Sequence, residues 1–151
     1  MSASSQQPKS GEASPNGTLQ PATLRHVFVY GTLRQGDDND ITQRTPAPLW
    51  VGRATIAGKM YHLGAYPGVM LDESADCRVH GEVYAIEPAL ERELDELEEV
   101  YPQQSEEYFK REIAVEVAGQ RLMCIVYEVN PRYVVNCPQI ASGDWIRDRH
   151  S

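Results

Sequence analysis

A short segment of the chain joins a strand-like pattern to a turn that could bind an anion: His26-Val27-Phe28-Val29-Tyr30-Gly31-Thr32-Leu33-Arg34. Gly31 carries no Cβ, so the chain can turn sharply there and the amides of Thr32 and Leu33 can come close to a bound oxygen. Such amides suit an oxyanion or a carboxylate. A Tyr-Gly-Thr sequence taken alone also fits an ordinary junction between strand and loop, because glycine occurs in turns of every kind.

Carboxylates that could move protons are concentrated later in the chain. Of the 22 acidic residues, 11 lie between Glu87 and Glu116, and most of those on a helix should be solvated. At about 100° per residue, Glu98 falls roughly 70° from the centre of a leucine stripe, whereas Asp95, Glu96 and Glu99 fall on the opposite side. Glu93 flanks the stripe as closely on its other edge. Position alone therefore leaves Glu98 and Glu93 as alternatives.

The elements that must hold these groups are mainly strands. Val27 to Tyr30 has the β-branched and aromatic composition of a strand covered on both faces. Ala118-Gly119-Gln120 is a short turn that should join the last two strands in a hairpin. We expect a mixed sheet rolled toward a barrel, with its other strands at Gly52 to Tyr61, Arg78 to Ile86, Phe109 to Val117 and Arg121 to Val129.

One helix is predicted, from Pro88 to about Tyr101. Pro88 suits the first helical turn because its missing N–H has no intrahelical acceptor there. An apolar stripe at helical spacing should pack on the sheet, formed by Leu90, Leu94, Leu97 and Tyr101.

Composition indicates one domain with a small-molecule or protein partner. The chain has 151 residues, 41% of them apolar, which is enough for a single core. Residues 1–24 are polar and charge-neutral, so we expect a disordered tail followed by a domain over 25–151 that carries the whole net charge of −8. That charge argues against nucleic acid or an anionic membrane as partner.

The cysteine and histidine pattern predicts neither a disulfide framework nor a metal site. The three cysteines are widely spaced without a Cys-x-x-Cys pair, and the four histidines show no metal-ligand spacing. A reducing cytoplasm fits this usage best. A phosphate-binding hydrolase is disfavoured because no Walker-type Gly-Lys-Ser/Thr accompanies the Gly31 turn.

Several motifs in order make the chain resemble the gamma-glutamylcyclotransferase superfamily over roughly His26 to Arg149. The closing Ser142-Gly143-Asp144-Trp145 is similar to a small bacterial branch of it. The other motifs are Val29-Tyr30-Gly31-Thr32-Leu33-Arg34, Leu63-Gly64-Ala65-Tyr66-Pro67-Gly68, His80-Gly81-Glu82-Val83-Tyr84 and Leu94-Asp95-Glu96-Leu97-Glu98.

The resemblance implies an α+β fold: a small mixed β-barrel with one main helix, peripheral short helices and a pocket at one mouth. It implies that the α-amine of a γ-glutamyl group attacks its own γ-carbonyl, which forms 5-oxoproline and releases an amine or amino acid without a metal or organic cofactor. Carried over by motif, the catalytic glutamate is Glu98. The substrate-binding residues are Tyr30, Gly31, Thr32 and Leu33 in the turn, with Tyr108 and Tyr127 as pocket tyrosines.

Two departures leave alternatives open. Glu99 stands where the family often has a glycine after its glutamate, so the local backbone could differ. The pair Glu106-Glu107 precedes Tyr108, and Glu106 or Glu107 could take the place of Glu98 if the segment from Val100 to Ser105 loops back over the pocket. The same fold could also serve as a non-catalytic module that binds a small ligand. The acidic balance favours a cationic or neutral leaving group, although no residue names the amine.

Three further predictions concern residues around these motifs. Tyr66-Pro67-Gly68 is predicted to be a turn, with a purely structural role or a place in the pocket lining as the two alternatives. Glu82, within a strand, would need a partner such as an arginine if it is buried. Arg34 could neutralise a carboxylate, either in a ligand or among the protein's own acids.

Overall fold

The computed structural model describes residues 24–100 and 105–149. The predicted tail over residues 1–24 therefore lies outside the described residues except for Leu24. Tyr101, where the helix was expected to end, also lies outside them.

Within the described ranges, seven strands form one mixed sheet. The strands are β1 Arg25–Val29, β2 Leu49–His62, β3 Pro67–Leu71, β4 Arg78–Ile86, β5 Tyr108–Val117, β6 Gln120–Val129 and β7 Gln139–Ile140. Their order across the sheet is β3-β2-β4-β1-β6-β5, with β7 beside β2. Strands β1 and β6 run parallel, and every other pair is antiparallel.

The sheet curls until its ends approach one another, which confirms the predicted α+β class and rolled mixed sheet. The Leu71 N–H of β3 donates to Glu128 Oε2 on β6 at 2.8 Å, and the Tyr108 hydroxyl of β5 donates to the Pro67 carbonyl at 2.8 Å. The helices are α1 Pro88–Leu97 and α2 Trp145–Arg149, with single 3₁₀ turns at Ile41–Gln43 and Pro131–Tyr133. Neither α-helix in the described ranges is long and apolar enough to cross a bilayer.

Strand β1 is buried on both faces, as its composition predicts. Val27 and Val29 belong to one apolar cluster, and Phe28 belongs to a second cluster with Tyr30, which follows the strand. Helix α1 covers the first cluster with Leu90 and Leu94, both fully buried. The chain that leaves β1 is thereby fixed from both sides before it reaches Gly31.

The segment Tyr66-Pro67-Gly68 is not a turn, contrary to the sequence prediction. The bend lies at residues 64–66, and Pro67 and Gly68 are the first two residues of β3. Strand β3 is at the edge of the sheet, where a proline at the first position needs no partner for an N–H. The turn signal of Pro-Gly was therefore overridden by pairing with β2.

The turn between β5 and β6 is a two-residue hairpin, which confirms that prediction. Val117 pairs with Gln120, and Ala118 and Gly119 both have positive φ, 52° and 75°. Two residues with positive φ give the twist that suits a two-residue hairpin.

We predict that replacing Gly143, which lies just before α2, destabilises the fold through a steric clash. Gly143 has φ +67°, its carbonyl accepts the His80 N–H at 2.8 Å, and an added Cβ would lie 1.9 Å from the Arg78 carbonyl oxygen. Gly119 is the matched control, since φ is +75° and no heavy atom lies within 4 Å of an added Cβ. In urea unfolding, Gly119→Ala should lose about 1 kcal/mol and Gly143→Ala about 1–3 kcal/mol more. Equal losses would contradict the clash.

Candidate active site

A cavity of about 310 Å³ opens where the Gly31 turn, the end of α1 and the start of β5 meet. This volume suits a small-molecule ligand. All seven site residues proposed from the sequence line it: Tyr30, Gly31, Thr32, Leu33, Glu98, Tyr108 and Tyr127. Residues more than 90 positions apart in the chain are thus brought to one space.

The Gly31 turn has its carbonyl groups bonded and two of its amides available. The carbonyls of Gly31, Thr32 and Leu33 accept hydrogen bonds from the N–H groups of Arg34, Asn39 and Ile41 at 3.0, 2.9 and 2.9 Å. Within the described ranges, no hydrogen bond runs from the Thr32 or Leu33 N–H to another residue. A pair of adjacent amides of this kind suits a carboxylate or an oxyanion.

Buried charges hold this turn to the sheet and to the C-terminal segment. Arg34 is only 7% exposed, and it donates from Nε to Glu82 Oε2 at 3.1 Å and from Nη1 to Asp144 Oδ1 at 2.8 Å. The other Glu82 oxygen accepts the Gln35 N–H at 2.9 Å and the Tyr84 hydroxyl at 3.0 Å. Glu82 thus has the arginine partner that its burial was predicted to require. Arg34 neutralises carboxylates of the protein itself.

The close approach of the turn to β3 requires glycine at position 31. A Cβ added to Gly31 would lie 2.8 Å from Pro67 Cγ and 2.9 Å from its Cδ. Pro67 also lines the cavity, and its carbonyl is held by the Tyr108 hydroxyl. The absence of a side chain at Gly31 therefore brings the turn amides against the opposite wall.

Glu98 is placed by the end of helix α1, which comes earlier than predicted. The helix ends at Leu97 with Glu98 as its C-cap, and Glu99 has a positive φ of 56°. The Glu99 N–H donates to the Glu96 carbonyl at 3.1 Å and the Val100 N–H to the Asp95 carbonyl at 2.9 Å. This Schellman pattern ends a helix at a left-handed residue, usually glycine. Here the left-handed residue is Glu99, whose Cβ makes this conformation strained.

The surroundings of Glu98 favour its neutral form. Burial raises the pKa of the Glu98 carboxyl from its ordinary 4.5 to about 7, helped by the negative charges of Glu107 and Glu99 and opposed by Arg44. Arg44 Nη1 lies 2.7 Å from Glu93 Oε1, so its charge is shared with that residue. A carboxyl with this pKa can both accept and donate a proton near neutral pH.

The cavity tyrosines are walls whose hydroxyl protons are already used. The Tyr30 hydroxyl donates to the Tyr127 carbonyl at 2.6 Å, that of Tyr108 to the Pro67 carbonyl, and that of Tyr127 to Asp95 Oδ1 at 2.7 Å. Burial is the main cause that raises the pKa of each tyrosine well above its ordinary value. These phenols therefore stay protonated and can offer only lone pairs to a ligand.

Asp95 is buried, whereas the helical projection placed it on the solvent side. It is 8% exposed and is held by the Tyr127 hydroxyl and by Lys110 Nζ at 3.0 Å. Strands β5 and β6 supply these partners, and such pairing across elements has no signal in the sequence of the helix alone. A buried acid one turn from Glu98 thus fixes the helix end against the cavity.

The alternative acids occupy different positions. Glu107 lines the cavity and accepts the Tyr66 hydroxyl at 2.6 Å, whereas Glu93 is paired with Arg44 and does not line it. Glu106 lines a separate hollow beside Lys110. In the part of the chain that the structure describes, no three His, Cys, Asp or Glu side chains are grouped as metal ligands.

Comparison with known proteins gives a family match over most of the chain. The model of the family "Gamma-glutamyl cyclotransferase, AIG2-like" matches residues 27–147. The gamma-glutamylcyclotransferase family protein YtfP of Escherichia coli is 32% identical over 131 residues, covering 82% of this chain and 98% of its own. The gamma-glutamylaminecyclotransferase of Bos taurus is 33% identical over 129 residues, a match that covers 78% of this chain and 70% of the bovine one.

A solved structure shows the same fold. The solution structure of YtfP from Escherichia coli superimposes with a TM-score of 0.55 at 32% identity, and the match covers 83% of this chain and 99% of that one. The curled mixed sheet is therefore shared with this relative.

We predict that Glu99→Gly stabilises the protein, because glycine adopts the positive φ of this position without strain. The gain in the free energy of unfolding should be about 1 kcal/mol. Glu99→Ala is the matched control, since it removes the same charge and keeps the Cβ. Urea unfolding separates the two effects, and an equal gain from alanine would contradict the role of backbone strain. Both variants should lower the pKa of Glu98, followed by NMR titration.

Proposed function

Because the chain belongs to the AIG2-like gamma-glutamyl cyclotransferase family, we propose that it cyclises a γ-glutamyl group to 5-oxoproline and releases an amine. The name of the bovine relative supports an amine as the leaving group. The catalytic residue is Glu98, and the substrate is held by the turn from Tyr30 to Leu33 together with Tyr108 and Tyr127. No metal or organic cofactor takes part in this proposal.

One observation carries the proposal. A carboxyl group with a pKa of about 7 and two adjacent unbonded amides line the same small cavity. The amides of Thr32 and Leu33 can bind either the α-carboxylate of the glutamyl group or its γ-carbonyl oxygen. Glu98 faces the space that remains. A plain structural turn would require neither a half-buried carboxyl with a raised pKa opposite it nor a cavity between them.

The reaction is an internal exchange of amide bonds. The α-nitrogen attacks the γ-carbon to form the ring C–N bond, and the original C–N bond breaks to release the amine. Substrate and products contain the same atoms, so neither water nor a redox partner is consumed. A five-membered ring closes readily once the chain is folded, so the main task of the cavity is to hold the folded shape.

Glu98 moves the proton that this exchange requires. The attacking nitrogen must lose a proton and the departing nitrogen must gain one, and a single carboxyl beside both can serve as base and then as acid. Amides directed at the γ-carbonyl oxygen would stabilise its negative charge in the transition state. The tyrosine hydroxyls have their protons committed to the protein, and the Glu107 carboxylate already accepts the Tyr66 hydroxyl at 2.6 Å. Glu98, with its pKa of about 7, is therefore the proton carrier in this proposal.

The protein is proposed to act in the cytoplasm. The three cysteines, Cys77, Cys124 and Cys137, are all free thiols, which suits a reducing compartment. The competing proposal from the sequence, a binding module on the same fold, is tested by the same assay. Binding of γ-glutamyl amides without any 5-oxoproline would support it.

We predict that Glu98→Gln abolishes 5-oxoproline formation, because the amide cannot take up the proton of the attacking nitrogen. Product release from a γ-glutamyl amide is the measurement, and the loss should be at least about 100-fold in kcat. In the wild type, kcat/KM should rise with pH through an apparent pKa of about 7 as the carboxyl ionises. Glu96→Gln is the control, since this exposed acid lies outside the cavity on the same helix. Near-normal turnover by Glu98→Gln would exclude Glu98 as the base.

The same substitution should stabilise the protein at high pH. The folded state raises the pKa of Glu98 from 4.5 to about 7, so the protonated form fits the fold and stability is lost as pH rises across that range. Glutamine stays neutral. The stability of Glu98→Gln relative to wild type should therefore increase by about 1–3 kcal/mol between pH 4 and pH 8. Urea unfolding at the two pH values measures the difference in the free energy of unfolding between the variant and the wild type. A difference that is the same at both pH values would contradict the raised pKa.

A further inference from the structure

Asn39 lines the cavity beside Thr32, although no motif in the sequence singles it out. Its backbone N–H donates to the Thr32 carbonyl at 2.9 Å, and its side-chain Nδ2 donates to Thr32 Oγ1 at 3.0 Å. Two hydrogen bonds thus join residues that lie seven positions apart in the chain. The Gly31 turn therefore brings a side-chain hydroxyl to the cavity as well as backbone amides.

The loop that carries Asn39 is held by contacts on both sides of this residue. After it, the Ile41 N–H donates to the Leu33 carbonyl at 2.9 Å. Before it, Asp37 Oδ2 accepts the indole N–H of the buried Trp145 at 2.8 Å, from the C-terminal segment. The fold itself thus places the Asn39 amide beside Thr32, and no ligand is needed to order it.

The hydrogen bond from Asn39 leaves the hydroxyl proton of Thr32 uncommitted. A hydroxyl has one proton to donate and two lone pairs that accept. Asn39 Nδ2 uses a lone pair, and in the described ranges no hydrogen bond runs from the Thr32 hydroxyl to another residue. Because the Asn39 donor repels the hydroxyl proton, that proton is directed away from Asn39. A hydroxyl that accepts one hydrogen bond is also a stronger donor for the next.

This state of the Thr32 hydroxyl differs from that of the cavity tyrosines. The hydroxyls of Tyr30, Tyr66, Tyr108 and Tyr127 all donate to acceptors of the protein. Among the hydroxyls of the described residues that line the cavity, that of Thr32 alone has no such acceptor. Its proton is therefore the hydroxyl proton that remains for a ligand.

Resting on the proposed function, we propose that Asn39 is a positioning residue: it holds Thr32 Oγ1 as an acceptor, so that the Thr32 hydroxyl donates to the γ-glutamyl oxygen bound by the Thr32 and Leu33 amides. Asn39 acts through Thr32 and makes no contact with the reacting atoms in this scheme. The bound oxygen, of the α-carboxylate or of the γ-carbonyl, then has three donors on one turn. Without Asn39 the hydroxyl rotates freely, and its hydrogen bond to the substrate is weakened.

The effect of Asn39→Ala in three backgrounds tests this role. The measurement is 5-oxoproline release from γ-L-glutamyl butylamide. Asn39→Ala should lower kcat/KM about tenfold in the wild type and in Thr32→Ser, which keeps a hydroxyl. In Thr32→Val, which has none, adding Asn39→Ala should lower it by less than about twofold, because the two residues act as one unit. Equal losses in all three backgrounds, or no loss in the wild type, would overturn the inference.

Thr42→Val is the matched control for damage to the loop. Thr42 lies in the same loop, its hydroxyl donates to Asp40 Oδ1 at 2.6 Å, and it does not line the cavity. Removing this hydroxyl should change kcat/KM by less than about twofold, since the lost hydrogen bond lies outside the cavity. Asn39→Ala keeps the backbone bond to the Thr32 carbonyl, so its midpoint of urea unfolding should fall no further than that of Thr42→Val. A loss of activity in Thr42→Val as large as that in Asn39→Ala would overturn the positioning role.

A binding measurement separates this inference from the proposed reaction. Both candidate oxygens are present in the substrate before the reaction, so the hydrogen bond from Thr32 should contribute to Kd. Calorimetry with Glu98→Gln gives the Kd of γ-L-glutamyl butylamide without turnover. Adding Asn39→Ala should weaken binding about tenfold, and only where residue 32 carries a hydroxyl.

The two proposals then fail in different ways. Weaker binding on Asn39→Ala that depends on the Thr32 hydroxyl supports the inference even if the wild type forms no 5-oxoproline, a result that would refute the reaction alone. Turnover of the amide by the wild type, with a Kd that Asn39→Ala leaves unchanged, would uphold the reaction and overturn the role of Asn39.

Discussion

The buried ion pair between Arg34 and Glu82 is the constraint on which the site depends. Glu82 belongs to a central strand and holds both the Arg34 guanidinium and the Gln35 N–H, while Asp144 holds the same guanidinium from the C-terminal side. Removing one partner of such a pair leaves a buried charge unbalanced, at a cost of about 3–5 kcal/mol. The turn that follows β1 is therefore fixed by charge pairing as well as by the apolar clusters beneath it.

The turn must be fixed because a single backbone amide, such as that of Thr32 or Leu33, binds an oxygen only weakly. Two backbone amides bind an oxygen well only if they are already aligned, since ordering them during binding would use up the gain. The carbonyls of the same residues are all bonded to the following loop, which holds the peptide planes in place. The wall opposite this turn, at the end of α1, is held less favourably: the backbone of Glu99 is strained and the carboxyl of Glu98 is desolvated. Strain and desolvation of this kind are typical of functional sites, where they lower stability.

The sequence predicts the elements of this molecule better than their ends. Strand β1, the hairpin of β5 and β6 and the helix starting at Pro88 follow from local composition and periodicity, because each is decided by neighbouring residues. The helix end does not: Glu99 adopts a conformation that its type disfavours, so a helical projection continues past Leu97. The burial of Asp95 and the start of β3 at Pro67 fail for a related reason, since both are decided by partners on distant strands.

The residues of the candidate site are brought together by these same unpredictable features. In a helix that continued to Tyr101, Glu98 would lie at the edge of the leucine stripe and Glu99 would lie on the solvent face. Ending the helix at Leu97 instead turns the chain so that Glu98 and Glu99 both line the cavity, and the pairing of Asp95 with Tyr127 and Lys110 holds that end against β5 and β6. The acidity of the wall at Glu98 and Glu99 thus follows from where one helix ends.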